Sequence, residues 1–117
     1  MLTVWREPKS STPYCIGVDT AEGLVHGDYS CIQVLDVRTA EQVAIWHGHI
    51  PPDTLANEVY NLALWYNSAL TCVESNNHGL TTIVQLRHLG HPNMFRKRTL
   101  NQATTKVSLE FGWKTTR

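Results

Sequence analysis

Tyr14-Cys15-Ile16-Gly17-Val18-Asp19 is a short apolar run that ends on a carboxylate. Its length and aliphatic content suit a buried strand that delivers an acid at its tip. Leu70-Thr71-Cys72-Val73-Glu74 repeats the arrangement later in the chain, again apolar and again closed by an acid. The segment between them determines how the two can meet. Residues 29–37 are rich in β-branched and aliphatic side chains, and residues 41–49 carry Val43, Ile45 and Trp46. The short link Arg38-Thr39-Ala40 makes these two stretches a hairpin. A helix follows, with Pro52 at its first position, Asp53 in its first turn and one apolar stripe of Leu55, Val59, Leu62 and Tyr66. A right-handed crossover through that helix returns the 70–74 strand beside the 14–19 strand, parallel to it, with Asp19 and Glu74 at the same end.

Working outward, Asn76-Asn77 caps a second helix with apolar positions Leu80, Ile83, Val84 and Leu86, ended by Gly90 and Pro92. Met94-Phe95 reads as a brief strand running into Arg96-Lys97-Arg98, and residues 99–117 alternate weakly enough for a hairpin. Residues 1–13, with Pro8 and Pro13 around a polar stretch, read as an irregular lead-in or linker remnant. The fold class is therefore α/β: a mixed sheet, made of a hairpin plus parallel strands, with flanking helices.

The 117 residues form one domain, and 42% hydrophobic content is that of an ordinary globule. No apolar run approaches the roughly 20 residues of a membrane span, and the N-terminus has no signal-peptide pattern. Cys15, Cys31 and Cys72 sit among apolar neighbours and read as reduced core residues of a cytosolic protein. Trp5, Trp46, Trp65 and Trp113 read as core or core-edge residues. The zero net charge hides a division: residues 1–83 hold nine acids against three bases, a net of −6, and residues 84–117 hold seven bases against Glu110, a net of +6. An acidic body with a basic last third suits a cation site beside a polyanion, although clustered surface charge has the same appearance.

Two carboxylates at buried strand tips repel each other, and a divalent cation between them offsets both the repulsion and the lost solvation. Oxygen ligands of this kind select Mg²⁺ or Mn²⁺. The pattern alone equally fits solvated residues at strand ends. His47-Gly48-His49 and His88-Leu89-Gly90-His91 lack a matching Cys or His pair for zinc.

The run Ile16-Gly17-Val18-Asp19-Thr20-Ala21-Glu22-Gly23, with Gly27-Asp28-Tyr29-Ser30 after it, resembles the opening strand and loop of the nuclease domain of phage terminase large subunits. Val73-Glu74-Ser75-Asn76-Asn77-His78-Gly79, Tyr66-Asn67-Ser68-Ala69 and Gly112-Trp113-Lys114-Thr115 are similar to that family too, and the segments fall in the family's order. The resemblance implies a ribonuclease H-like fold over residues 14–117, in which Asp19 binds two metal ions and Glu74 one. It leaves Asp28 as a further ligand or a loop-structuring residue. It implies an endonuclease that cuts concatemeric viral DNA by two-metal hydrolysis during packaging, with Mg²⁺ or Mn²⁺ as cofactor. Arg96, Lys97, Arg98 and Lys114, with His78 beside the acids, become candidates for contacts to double-stranded DNA. The implied partners are an ATPase domain, the portal and a small terminase subunit, in the host cytoplasm of a phage or prophage. Two departures stand out. No phosphate-cradling Gly-rich Lys-Ser/Thr motif is present, and the family's late helix-borne Asp would fall beyond Arg117. A C-terminal part of the domain is thus expected to be missing, and the activity of this chain impaired. A resolvase- or transposase-like nuclease of the same fold, or a non-enzymatic DNA-binding or assembly module with an incomplete site, are the competing readings.

Overall fold

The computed structural model describes residues 1–23, 27–101 and 106–111, and for residues 97–101 and 106–111 it describes the backbone alone. In chain order the elements are β1 (Leu2–Val4), β2 (Tyr14–Asp19), β3 (Ser30–Asp36), β4 (Gln42–Gly48), α1 (Pro52–Trp65), β5 (Leu70–Val73), α2 (Asn77–His88), β6 (Arg96–Asn101) and β7 (Lys106–Phe111). Five strands form one sheet in the order β1-β4-β3-β2-β5, and β6 pairs with β7 in a separate ribbon. The β3–β4 and β2–β3 pairs are antiparallel, whereas β2 and β5 are parallel neighbours in the register Ile16–Thr71 and Val18–Val73. The parallel placement of the two acid-tipped strands inferred from the sequence is the one observed.

One face of the sheet holds the core. Ile16, Val18, Ile32, Val34 and Val73 alternate onto it and share that core with Leu55, Val59 and Leu62 of α1, Tyr66 just after it, and Ile83 and Leu86 of α2. At the start of α2, Asn76 Oδ1 accepts the Gly79 N–H at 2.7 Å, the cap expected of that residue. Gly79 has a second role. A β-carbon there would collide with the Glu74 carbonyl oxygen, so glycine lets α2 begin hard against the end of β5.

Several expectations need correction. Residues 1–13 are not an irregular lead-in throughout: Leu2–Val4 adds the edge strand β1, antiparallel to β4. The loop behind it is fastened by Asn67, whose Nδ2 donates to the carbonyls of Lys9 at 2.8 Å and Thr12 at 3.0 Å, and by Tyr66 Oη donating to the Arg6 carbonyl at 2.8 Å. The Tyr66-Asn67 pair of the terminase-like segment is therefore structural. The three cysteines are not in the core. Strand alternation sends Cys15, Cys31 and Cys72 to the face away from the helices, where each is a half-buried free thiol. Trp46 is buried, but Trp5 and Trp65 are exposed, and Trp113 lies outside the described residues. In α2 only Ile83 and Leu86 of the expected stripe face the core, while Leu80 and Val84 face outward. Met94 makes a single parallel bridge to Thr71 rather than a full strand, and β6–β7 is the hairpin suggested for the last stretch.

Candidate metal and nucleic-acid site

Asp19 is the last residue of β2, and Glu74 directly follows β5. The parallel register continues into Glu74, whose N–H donates to the Val18 carbonyl at 3.1 Å. The two carboxyls therefore leave adjacent strand ends in the same direction, close enough for Glu74 to raise the Asp19 pKa. Asp19 holds its proton above the usual carboxylate range. Burial is the main cause, followed by the charge of Glu74, the hydrogen bond to Glu74 and the charge of Asp28. Among the described residues neither Asp19 nor Glu74 forms an ion pair with a basic side chain.

Neighbouring hydrogen bonds fix the chain that carries Asp19. Thr20 is buried, with its hydroxyl 3.3 Å from that of Thr82, and Thr82 in turn donates to the Pro52 carbonyl at 2.8 Å. Ser30 Oγ accepts the Ala21 N–H at 2.8 Å, closing the base of the loop between β2 and β3. At Gly23 the backbone has φ +89° and passes so close to the Ile50 carbonyl that a side chain would not fit.

Asp19 borders two hollows. A cleft of about 410 Å³ on one side is lined by Asp19, Glu22, Asp28, Tyr29, Asn76 and His78. A second hollow of about 320 Å³ opens on the helix-free face, with Glu74, Cys31, Gln33 and Cys72 in its wall. Cys72 and Cys15 are poor nucleophiles, because burial pushes both thiols up.

The structure thus brings together Asp19 and Glu74, with Asp28 in the same cleft as Asp19. No group of three or more His, Cys, Asp or Glu side chains converges closely enough to hold a metal among the described residues, so Asp28 is not drawn in as a third ligand. His78 lies in the cleft with Nε2 3.7 Å from Glu22 Oε1. Sequence reasoning gave no role to Glu22 or Tyr29, although both belong to the quoted Asp19–Ser30 segments. Arg96 opens β6, and the parallel bridge at Met94 sends the chain toward the acid end of the sheet. Lys97 and Arg98 follow it along the strand, and Lys114 lies outside the described residues.

No protein-family model matches this chain, and no curated protein matches it in sequence. Solved structures do. The large terminase nuclease of thermophilic phage G20c with bound magnesium superposes with TM-score 0.69 at 20% identity, over 79% of this chain and 48% of that one. The cobalt-bound form superposes with TM-score 0.68 at 14% identity, over 94% and 77%. The large terminase nuclease domain of Thermus phage P74-26 gives TM-score 0.55 at 16% identity, over 92% and 74%. The chain has the fold of a large terminase nuclease. It spans about half the length of the magnesium- and zinc-bound G20c structures, at 48% and 52%. The fold is ribonuclease H-like, a mixed sheet with two helices on one face, as the resemblance implied. No described helix is long and apolar enough to cross a membrane.

Proposed function

We propose that this terminase-nuclease fold is a divalent-metal-dependent DNA endonuclease that cuts concatemeric viral DNA during packaging. One observation carries the reading: adjacent parallel strands end side by side in two carboxylates, with no described basic side chain paired to them. Such a pair is electrostatically incomplete, and hard oxygen donors fit Mg²⁺ or Mn²⁺. G20c nuclease structures carry magnesium, zinc or cobalt, which supports divalent-metal use.

Asp19 and Glu74 would hold the metal ions, with Asp28 adding negative potential from the loop. Bound divalent ions supply an activated water and charge stabilisation at the leaving oxygen of a phosphodiester. The chain contributes the rest. The Thr20–Thr82–Pro52 hydrogen bonds hold the Asp19 strand end in place, so its carboxylate needs little rearrangement on loading. His78, beside Glu22 in the first turn of α2, is assigned to a phosphate contact. Arg96, Lys97, Arg98 and Lys114 are assigned to the DNA backbone, where their contribution falls steeply with salt. The same reading assigns an ATPase domain, portal and small terminase subunit as partners in the host cytoplasm.

Two carboxylates leave most coordination positions to water, so the ions are held weakly and cleavage by this chain is slow. The test pairs calorimetry with plasmid nicking. Mn²⁺ should bind the unaltered chain, more tightly than Mg²⁺, and Asp19→Asn should remove most of that binding. Equal Mn²⁺ binding by both proteins would overturn the site. Metal binding without any nicking, with DNA still retained, would favour a non-enzymatic DNA-binding module. That no three ligands converge among the described residues is the observation on that module's side.

A further inference from the structure

Tyr29 is an exposed aromatic residue at the acid cleft that core packing does not explain. It stands between Asp28 and β3 with 60% of its surface exposed, although a large aromatic ring is usually buried. Its ring is nevertheless held firmly from one side. The His49 ring meets it edge-on with centroids 4.0 Å apart and planes at 87°, and the His47 ring does so at 5.5 Å and 82°. The His-Gly-His segment that carried no metal spacing in the sequence is thus a brace for an exposed ring.

The position of this group gives it meaning. His47 pairs across the sheet with Cys31, and Cys31 pairs with Asp19, so the three lie on one row of the sheet near its acid end. Tyr29 lines the same cleft as Asp19, Asp28 and Glu22. A polyanion approaching that cleft meets like charge at every acid that no cation neutralises. Binding the nucleotides beside the reacting phosphate is therefore helped by an attraction that is not ionic. A braced, exposed aromatic ring provides one, since every base has a π-face and stacking on a protein aromatic tolerates any sequence.

We propose that Tyr29, braced by His47 and His49, is a stacking platform for an unpaired nucleobase of the DNA strand that crosses the acid cleft. The nature of the ligand rests on the nuclease reading, while the platform rests on the Tyr29 geometry. A base inside an intact duplex cannot offer its face to Tyr29, so the platform favours a strand that is frayed or opened beside the scissile bond.

The experiment measures anisotropy of a fluorescein-labelled single-stranded deoxyoligonucleotide and of the matching blunt duplex. It is run in EDTA, so that nothing is cut, at several salt concentrations. Tyr29→Leu keeps an apolar side chain of similar reach without the π-face, and Tyr29→Phe keeps the ring without the hydroxyl. Tyr29→Leu should weaken single-strand binding by roughly tenfold, and by the same factor at low and high salt, because stacking releases no counterions. Tyr29→Phe should bind like the unaltered chain, and the duplex should lose much less than the single strand. Unchanged single-strand binding in Tyr29→Leu overturns the proposal, and so does an equal loss in Tyr29→Phe or a loss that disappears at high salt. If the unaltered chain binds neither oligonucleotide, the platform is wrong. Mn²⁺ calorimetry, in which Tyr29 takes no part, then shows whether the nuclease reading fails with it.

Discussion

The β2–β5 pair contains two regions built on opposite principles. Along its body, Ile16, Val18 and Val73 are almost wholly buried against the helices, and every contact there favours the fold. At its tip, Asp19 and Glu74 stand side by side without a paired basic side chain among the described residues, and their repulsion opposes the fold while both carboxyls are ionised. The distance from body to tip along β2 is a single residue, from Val18 to Asp19. The body thus supplies the stability that the tip spends, and a substitution should change sign as it moves from one to the other. Stability and metal binding become separable quantities on one pair of strands.

The largest effect should come from the body. Ile16→Ala removes a side chain that is 1% exposed in the middle of the sheet, and large-to-small changes of this kind cost about 2–5 kcal/mol. Urea unfolding should show the loss, while Mn²⁺ affinity, measured at a temperature where the variant is still folded, should stay within about twofold. A collapse of metal affinity in a folded Ile16→Ala protein would show that body and tip are not separable. Gly79→Ala tests the junction between them. The added methyl collides with the Glu74 carbonyl, so either α2 or the Glu74 backbone must shift, at a cost of about 1–3 kcal/mol. Here both quantities should fall together, because the displaced group is the backbone of a proposed ligand. Loss of stability with unchanged metal affinity would place the strain in α2 alone.

The same division explains how much could be read in advance. Body features leave a pattern in sequence: the Leu55–Val59–Leu62–Tyr66 stripe predicted the buried face of α1, and two apolar runs ending in acids predicted parallel neighbours. Both expectations match the structure, since burial acts on many residues at fixed periods. What periodicity could not give was which face of the sheet lacks a helix layer. Cys15, Cys31 and Cys72 looked like core residues because apolar neighbours surround them in sequence, yet alternation turned them away from α1 and α2. Leu2–Val4 escaped notice because three residues are too few to show a period, and only its pairing with β4 makes it a strand. At the tip, Asp19 and Glu74 were legible as strand-end acids. The bracing of Tyr29 by His47 and His49 was not, since the ring and its braces lie at the ends of two neighbouring strands and no spacing rule joins them.

A smaller effect is expected where the N-terminal loop is tied to the body. Tyr66 is fully buried, and its hydroxyl, pushed up to about 12 chiefly by burial, stays a neutral donor to the Arg6 carbonyl at any working pH. Tyr66→Phe keeps the ring contact with Tyr14 and deletes one hydrogen bond, which should cost about 1 kcal/mol, with no effect on metal binding. The change should be flat from pH 6 to pH 9 in thermal unfolding. A pH-dependent difference would mean that Tyr66 titrates within that range and that burial does not hold its proton.

The smallest change in stability, and the most informative in sign, belongs to the tip. In the unfolded chain Asp19 loses its proton in the ordinary carboxylate range, whereas in the fold it holds the proton to higher pH. Between those two values the folded state binds more protons than the unfolded state, so stability falls as pH rises through the window. The deficit is complete above the folded value and persists at neutral pH. Asp19→Asn cannot ionise and escapes it. Without metal, the variant should therefore melt at a higher temperature than the unaltered chain at pH 7. The gap should close as pH drops to the unfolded carboxylate value, roughly 4. Asp19 is partly exposed, so water screens the repulsion and the difference should be on the order of a few degrees. Saturating Mn²⁺ should reverse the order, because binding to the folded state stabilises the unaltered chain and leaves Asp19→Asn largely unmoved. Thermal unfolding of both proteins with and without Mn²⁺ reads this directly. If Asp19→Asn is the less stable protein even in EDTA at pH 7, the tip is held together by its carboxyl contact, and the contrast between body and tip does not hold.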